Sequence, residues 1–194
     1  LRSAGEFPLV ITRDLQAARR WLVARAGRDV SDGQIAFDRR CGLVASSENA
    51  RLRAYGLEVS SGFRKGFPYD KWFLEDGANV MSSCQLEVAA TEFECQGLEL
   101  DWVGVCWGDD LVPNDCGGAW QPRRFLRGKW RNVDDPAKRQ YRINKYRVLL
   151  TRAREGMVIW VPPGDVIDQT RPVGTMNAVS ALLRKAGVNE LNMQ

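Results

Sequence analysis

Short runs of apolar residues recur along this chain, and polar segments that contain glycine or proline separate them. A run of four to eight apolar residues predicts a strand that is buried on both faces, because none of its side chains is suited to face solvent. Residues 157–161 are the clearest case, since Gly156 separates them from a predicted helix and two prolines follow them. The strands predicted in this way are 8–12, 42–45, 86–91, 100–107 and 157–161.

Helices are predicted where apolar residues recur three and four positions apart. Tyr146, Leu149, Leu150 and Ala153 have this spacing and would bury one stripe of a helix against a sheet. Asp14 would cap another helix or lie in its first turn. The predicted helices are 14–26, 49–55, a single turn at 69–74, a segment that reaches 153, and 175–186.

The alternation of strands and helices predicts one α/β domain with three layers and a mostly parallel sheet. A chain of 194 residues is long enough to bury a sizeable core as a single domain, 1–194. Segments 27–40 and 60–67 are predicted as loops. Segment 108–142 is polar and rich in Trp, Pro, Arg and Gly, and it is predicted as a long loop insertion with a functional role or partial order.

The composition, 44% apolar and 27% charged, is that of an ordinary globular protein. The net charge of +4 permits contact with nucleic acid but does not require it. No stretch is apolar and uncharged over the roughly 18 residues that a membrane span needs, so no membrane partner is predicted. The first residues also lack the apolar core of a signal peptide, and we therefore expect a cytoplasmic location.

The cysteine and histidine content limits which catalytic and metal-binding sites the chain can form. The chain contains no histidine, which excludes Ser-His-Asp and Cys-His catalysis. No Cys-x-x-Cys motif occurs, and Asp109 and Asp110 lack supporting ligands, so no metal site is predicted. The cysteines are expected to be reduced and mostly buried. They are Cys41, Cys84, Cys95, Cys106 and Cys116.

Three separated segments, 45–52, 90–101 and 146–154, together resemble motifs IV, V and VI of the second RecA-like domain of superfamily 1 helicases of the UvrD/Rep/PcrA class. The most recognisable parts are Gln-Gly-Leu-Glu at 96–99 and Leu-Thr-Arg-Ala-Arg at 150–154. The order and the spacing of the segments also agree. The resemblance implies a RecA-like fold of the P-loop NTPase type.

The amino-acid sequence resembles even more closely an uncharacterised bacterial domain family that is related to the C-terminal helicase-like region of Schlafen proteins. The segments that carry this likeness are 11–15, 90–93 and 144–152. The resemblance implies an ATP-driven nucleic-acid enzyme whose partner is single-stranded DNA or RNA.

The phosphate-binding motif Gly-x-x-x-x-Gly-Lys-Ser/Thr (Walker A) is missing from this chain, and Gly-Lys-Trp at 128–130 fits neither its spacing nor its context. The resemblance therefore implies that ATP and Mg²⁺ are bound mainly by an upstream RecA-like domain of a longer chain. A first residue other than methionine agrees with this expectation. The chain would be the C-terminal, 2A-type domain and would be inactive alone.

The resemblance assigns Arg152 as the arginine finger and Arg51 as a second contact to the γ-phosphate. It also assigns Gln96, Gly97 and Glu99 to the nucleotide, with the glycine allowing a close approach of the backbone. Other interpretations remain open. Arg51 could be an exposed helix arginine, and Glu99 could be a surface charge or the partner of a motif arginine.

Nucleic acid would cross the sheet where its strands end, at Thr91 and Glu92. Thr91 could donate to a phosphate or could simply end a strand. The insertion interleaves aromatic residues with arginines and lysines, which suits base stacking combined with phosphate contact. The same aromatic residues could instead pin a loop to the core.

Two rival functions are considered. The first is a non-catalytic nucleic-acid-binding or scaffold module with a degenerate helicase fold. Three intact side chains aimed at one phosphate, those of Arg51, Glu99 and Arg152, argue against it. The second is a stand-alone hydrolase that uses carboxylates of the insertion, which the lack of histidine and of paired carboxylates disfavours.

Overall fold

A computed structural model describes residues 7–31, 34–114 and 118–192. The strands are β1 (Leu9–Thr12), β2 (Arg28–Ser31), β3 (Gln34–Phe37), β4 (Cys41–Ala45), β5 (Ala89–Thr91), β6 (Leu100–Cys106), β7 (Leu111–Pro113), β8 (Trp120–Leu126), β9 (Lys129–Asn132), β10 (Ala153–Trp160) and β11 (Asn189–Glu190). The α-helices are α1 (Leu15–Ala26), α2 (Ser61–Gly66), α3 (Tyr69–Leu74), α4 (Pro136–Leu149) and α5 (Val173–Lys185). Two 3₁₀-helices lie at Ala50–Tyr55 and Ser83–Gln85.

Six strands form one parallel sheet in the order β11-β1-β10-β6-β4-β5. The sheet has a core on each face, because the side chains of its central strands alternate between two clusters. Val103 and Val105 of β6 pack with α4 and α5, whereas Trp102 and Cys106 pack with α1. The predicted three-layer α/β fold with a mostly parallel sheet is confirmed, and the arrangement is consistent with a RecA-like domain. All five predicted strands lie in this sheet.

Helix α1 lies close against the middle of the sheet. A Cβ atom on Gly104 would come within 2.9 Å of the Leu22 side chain and within 2.6 Å of the Leu43 side chain. Leu22 is fully buried in this contact. Asp14 caps α1 as predicted, since its carboxylate accepts a hydrogen bond of 2.8 Å from the main-chain N–H of Gln16.

Two segments that were predicted as loops contain regular structure. Segment 27–40 contains the antiparallel hairpin β2–β3, and segment 60–67 contains the short helix α2. The strand predicted at 86–91 begins only at Ala89, because Leu86 ends a 3₁₀-helix with a left-handed backbone (φ 59°). The helix predicted at 49–55 is a 3₁₀-helix rather than an α-helix.

The prediction of a long irregular loop at 108–142 is wrong. This segment contains an antiparallel sheet of β7, β8 and β9 and the first half of α4. The turn between β8 and β9 has positive φ at both Arg127 (49°) and Gly128 (77°), the conformation of a tight hairpin turn. Asparagine or aspartate usually occupies the first of these positions, so Arg127-Gly128 is not a strong hairpin signal.

The helix predicted to reach 153 is shorter than expected. Helix α4 ends at Leu149, Leu150 is exposed, and Ala153 begins β10. Gly156 lies inside β10 and does not stop a helix. A Cβ atom there would come within 2.4 Å of the Trp102 ring, so close packing requires the glycine.

No helix among the residues that the structure describes is both long enough and apolar enough to cross a membrane.

Replacing Leu22 by alanine should lower the free energy of unfolding by about 2–5 kcal/mol, because the shortened side chain leaves a cavity over Gly104. Leu74→Ala is the matched control, since Leu74 is 68% exposed and its loss should change stability by about 0.5 kcal/mol or less. Urea denaturation followed by far-UV circular dichroism measures both values. Equal losses in the two variants would contradict the contact between α1 and the sheet.

Candidate functional site

The amino edge of the sheet, where its strands begin, joins two of the segments singled out in the sequence. Strands β6 and β10 are neighbours, and the N–H of Leu100 donates to the carbonyl of Arg152 at 2.9 Å. The Arg152 guanidinium donates to the carbonyls of Val148 (2.9 Å), Leu98 (3.1 Å) and Cys95 (3.4 Å). Arg152 thus fastens the end of α4 to the loop that precedes β6.

The same edge carries exposed groups around this junction. Arg154 forms an ion pair of 3.2 Å with Glu99, and both side chains are more than half exposed, so the pair contributes little to stability. Gly97 has φ 80°, and nothing lies within 4 Å of where its Cβ would be. Gln96 beside it is exposed. The structure therefore brings Gln96, Gly97, Glu99 and Arg152 together along one open edge.

Arg51 lies elsewhere. It follows β4 at the carboxyl edge of the sheet, where the strands end, and its guanidinium pairs with Asp168 and lies 5.8 Å from the centre of the Phe125 ring. Strand β10 has eight residues, so the two edges are about 25 Å apart. The expectation that Arg51, Glu99 and Arg152 point at one phosphate is therefore not met within this domain.

Thr91 is fully buried at the end of β5. Its main-chain N–H donates to the Glu94 carboxylate at 3.0 Å, and its hydroxyl donates to the same carboxylate. Arg64 donates to the other oxygen of Glu94 at 2.8 Å. Because its hydroxyl proton is already used, Thr91 has no donor left for a phosphate in this conformation.

Glu92 forms a buried ion pair with Lys145 of α4, with Oε1 and Nζ 2.9 Å apart and both side chains at most 6% exposed. Burial acts to raise the pKa of Glu92, but hydrogen bonds from Ser47 and the charge of Lys145 outweigh it, and the pKa lies below its ordinary value. Glu92 is therefore ionised and already paired with Lys145, and it has no donor to offer a phosphate. The predicted contacts of Thr91 and Glu92 with nucleic acid would require this loop to open.

A second buried network lies beside the first and was missed in the sequence. Asp110 accepts hydrogen bonds from Ser46 (2.6 Å) and from the Tyr146 hydroxyl (2.7 Å). The Tyr146 oxygen in turn accepts from the N–H of Gly108 at 3.2 Å. These contacts hold the ends of β4 and β6 against α4. The available signal was an aspartate pair directly after an apolar strand.

Asp109 is the less strongly bonded member of that pair. Burial raises its pKa to about 7, although Arg123, whose guanidinium lies 3.4 Å from the carboxylate, opposes the rise. Burial also raises the pKa of Asp110. Within the described ranges, no group of three or more His, Cys, Asp or Glu side chains could hold a metal ion.

Four of the cysteines are free and buried, as predicted. A hydrogen bond from Cys41 lowers the pKa of Cys84 to about 6 against the effect of burial, and the same bond raises the pKa of Cys41. Burial raises the pKa of Cys95 and Cys106 to about 12. Cys116 lies outside the described residues.

Replacing Lys145 by methionine should lower the free energy of unfolding by about 3–5 kcal/mol, because Glu92 would stay buried without its counter-charge. Lys138→Met, an exposed change on the same helix, should cost about 0.5 kcal/mol or less. Chemical denaturation at neutral pH measures both. If Lys145→Met cost no more than the control, the buried pair would not hold α4 to the carboxyl edge.

The raised pKa of Asp109 predicts a pH-dependent stability. Between about pH 4 and pH 7 the folded protein binds a proton at Asp109 that the unfolded chain does not, so this group lowers stability as the pH rises through that window. Within this window the contribution of Asp109 to the free energy of unfolding falls by about 1.4 kcal/mol per pH unit. Asp109→Asn lacks this titrating carboxylate. The free energy of unfolding of the variant relative to that of the wild type should therefore rise as the pH rises from 4 to 7.

Denaturation across pH 4–8 tests this relation. Asp134→Asn, which removes an exposed carboxylate of the same region, should give a curve parallel to that of the wild type. A gap between Asp109→Asn and the wild type that stays constant over the whole range would contradict the assignment.

The chain was compared with known protein families, curated proteins and solved structures. A family model described as the Schlafen group 3 DNA/RNA helicase domain matches residues 1–163. No curated protein and no solved structure matches the chain significantly. The predicted relation to the Schlafen helicase-like region is thus confirmed, and it supports a helicase-related role in nucleic-acid binding. Because the match covers most of the chain, the protein belongs to the family of the Schlafen group 3 DNA/RNA helicase domain.

Proposed function

We propose that this chain is the second RecA-like domain of a superfamily 1 helicase-like, ATP-driven nucleic-acid enzyme. Its amino edge would form one wall of the ATP cleft. The opposite wall would come from an upstream RecA-like domain of a longer chain, which would bind most of the ATP and the Mg²⁺. Single-stranded DNA or RNA would cross the carboxyl edge.

The observation that carries this proposal is the junction at the amino edge. Segments 96–99 and 151–154 are far apart in sequence, and each resembles a nucleotide-binding helicase motif. They meet through the hydrogen bond from Arg152 to the Leu98 carbonyl and the ion pair between Arg154 and Glu99. Two motifs that serve one ligand must lie side by side, and these two do.

The chemistry of the junction suits phosphoryl transfer, which requires positive charge at the departing phosphate. A guanidinium has five N–H groups, and Arg152 directs its contacts to Val148, Cys95, Leu98 and the Thr151 hydroxyl. Its orientation is therefore fixed before any ligand arrives, which favours electrostatic stabilisation of a transition state. Bound ATP would supply the γ-phosphate on which this charge acts. Mg²⁺ would be held mainly by the other domain, because the motif Gly-x-x-x-x-Gly-Lys-Ser/Thr is missing from this chain.

A non-catalytic nucleic-acid-binding or scaffold module is the second candidate. The observation that favours it is the same set of hydrogen bonds, because a guanidinium that holds main-chain carbonyls has a sufficient structural role. The position of Arg51 also favours it, since Arg51 pairs with Asp168 at the opposite edge. A test of catalysis must therefore separate the charge of Arg152 from its role in folding.

In the longer protein that contains the upstream domain, Arg152→Ala should lower the rate of nucleic-acid-stimulated ATP hydrolysis by about 10³-fold or more. Arg147→Ala removes an exposed arginine from the last turn of α4 and should leave the rate within about twofold. Phosphate release with and without single-stranded DNA or RNA measures both. Circular dichroism and thermal unfolding must show that the Arg152 variant is folded.

Two outcomes would redirect the assignment. An active protein that tolerates Arg152→Ala would mean that another arginine, such as Arg154 beside Glu99, supplies the charge. An unmodified protein with no turnover under any condition would favour the non-catalytic module.

A further inference from the structure

The hairpin β8–β9 separates its side chains into two sets. Its inner side carries Phe125 and Trp130, whose ring centres are 5.1 Å apart. Its outer side and its turn carry four exposed cations, which we call the basic face. They are Arg124, Arg127, Lys129 and Arg131.

The strand register places like charges together on the basic face. Arg124 lies directly opposite Arg131, and the next pair on the same side is Leu126 with Lys129. Like charges that face each other across two strands are destabilising. Arg127 also adopts a left-handed backbone (φ 49°) at a turn position that asparagine would fill with less strain. The charges of the basic face therefore lower the stability of the hairpin.

Among the described residues, no acidic side chain forms an ion pair with the basic face. None of its four side chains forms an ion pair or a side-chain hydrogen bond with another described residue. Arg123, one position before Arg124, points to the inner side and pairs with Asp109. Asp134 and Asp135 line the same cavity as Arg124 but form no ion pair with it, and Asp135 accepts a hydrogen bond from the first turn of α4. Within the part of the chain that the structure describes, the cations of the basic face therefore face solvent without forming ion pairs.

The hairpin is nevertheless held firmly, so the basic face has a fixed shape. The indole N–H of Trp130 donates to the Thr170 carbonyl at 2.8 Å. The main-chain N–H of Arg123 donates to the Asp110 carbonyl at 2.7 Å, at the carboxyl edge of the main sheet. The main chain beneath the cations is therefore already ordered before a polyanion binds, so binding has to order only their side chains.

We propose that the basic face binds the phosphate backbone of nucleic acid as a sequence-independent contact. This inference rests on the nucleic-acid role proposed above and names a surface for it, apart from the buried loop of Thr91 and Glu92. Each cation neutralises a phosphate and releases condensed counterions, so the contact depends strongly on salt. The exposed Leu126 between the cations lies against the sugars or bases of the bound strand.

The test uses the full chain and fluorescence anisotropy with labelled 20-nucleotide single-stranded DNA, single-stranded RNA and duplex DNA. The variant Arg124→Gln/Lys129→Gln/Arg131→Gln removes three charges from the basic face. The control Arg28→Gln/Lys71→Gln/Lys185→Gln removes three exposed cations from other elements. Titrations run from 50 to 200 mM NaCl, and circular dichroism checks the folding of each variant.

The basic-face variant should bind at least about tenfold more weakly at the lowest salt, and its slope of log affinity against log salt should be smaller by about 2–3. The control variant should keep both values close to those of the wild type. The three probes report whether the strand bound is DNA or RNA, single or double.

Three results would overturn the inference. If both variants weakened equally, the effect would be one of net charge and not of this face. If the wild type bound and the basic-face variant bound equally well, the basic face would be excluded while the proposed function stood. If the wild type bound none of the probes at 50 mM NaCl, both the basic face and the nucleic-acid role would be wrong.

Discussion

The parallel pairing of β6 with β10 is the constraint on which the rest of the structure depends. Both strands are buried on two faces, so their register cannot shift without moving apolar side chains out of one core and into the other. That register places Leu100 beside Ala153 at the amino edge and Cys106 beside Trp160 at the carboxyl edge. Each site residue that was predicted from the sequence lies at one of these two edges.

The sequence was sufficient for five of the six strands of the main sheet, because burial on two faces produces a run of apolar residues. The edge strand β11 has only two residues, both exposed, and was not predicted. It was insufficient for β8 and β9, which are one-sided strands rich in arginine, with a turn that lacks the usual asparagine or aspartate. It also predicted that the helix before β10 would continue to Ala153, since the spacing of Leu149 and Leu150 fits a helix. Periodicity cannot show that the chain turns there to join a strand.

Only part of the candidate site could be predicted from the sequence. Segments 96–99 and 151–154, which the motif resemblance assigns to one nucleotide, are neighbours at the amino edge. The position of Arg51 depends on the tertiary path of the chain after β4. Neither the ion pair of Glu92 with Lys145 nor the environment of Asp110 follows from spacing, because each joins residues more than 30 positions apart. Trp120 and Trp130 attach the insertion to the rest of the domain, and most of its described cations face solvent. Its contact with nucleic acid stays a prediction.

The opposed arginines of the hairpin have a consequence for how the domain responds to its medium. Added salt screens the repulsion between Arg124 and Arg131 and thereby stabilises the hairpin locally. The same salt weakens any attraction between these side chains and a polyanion. Ionic strength therefore acts in opposite directions on one pair of residues: the solution in which the hairpin is most stable is the one in which it attracts a phosphate chain least.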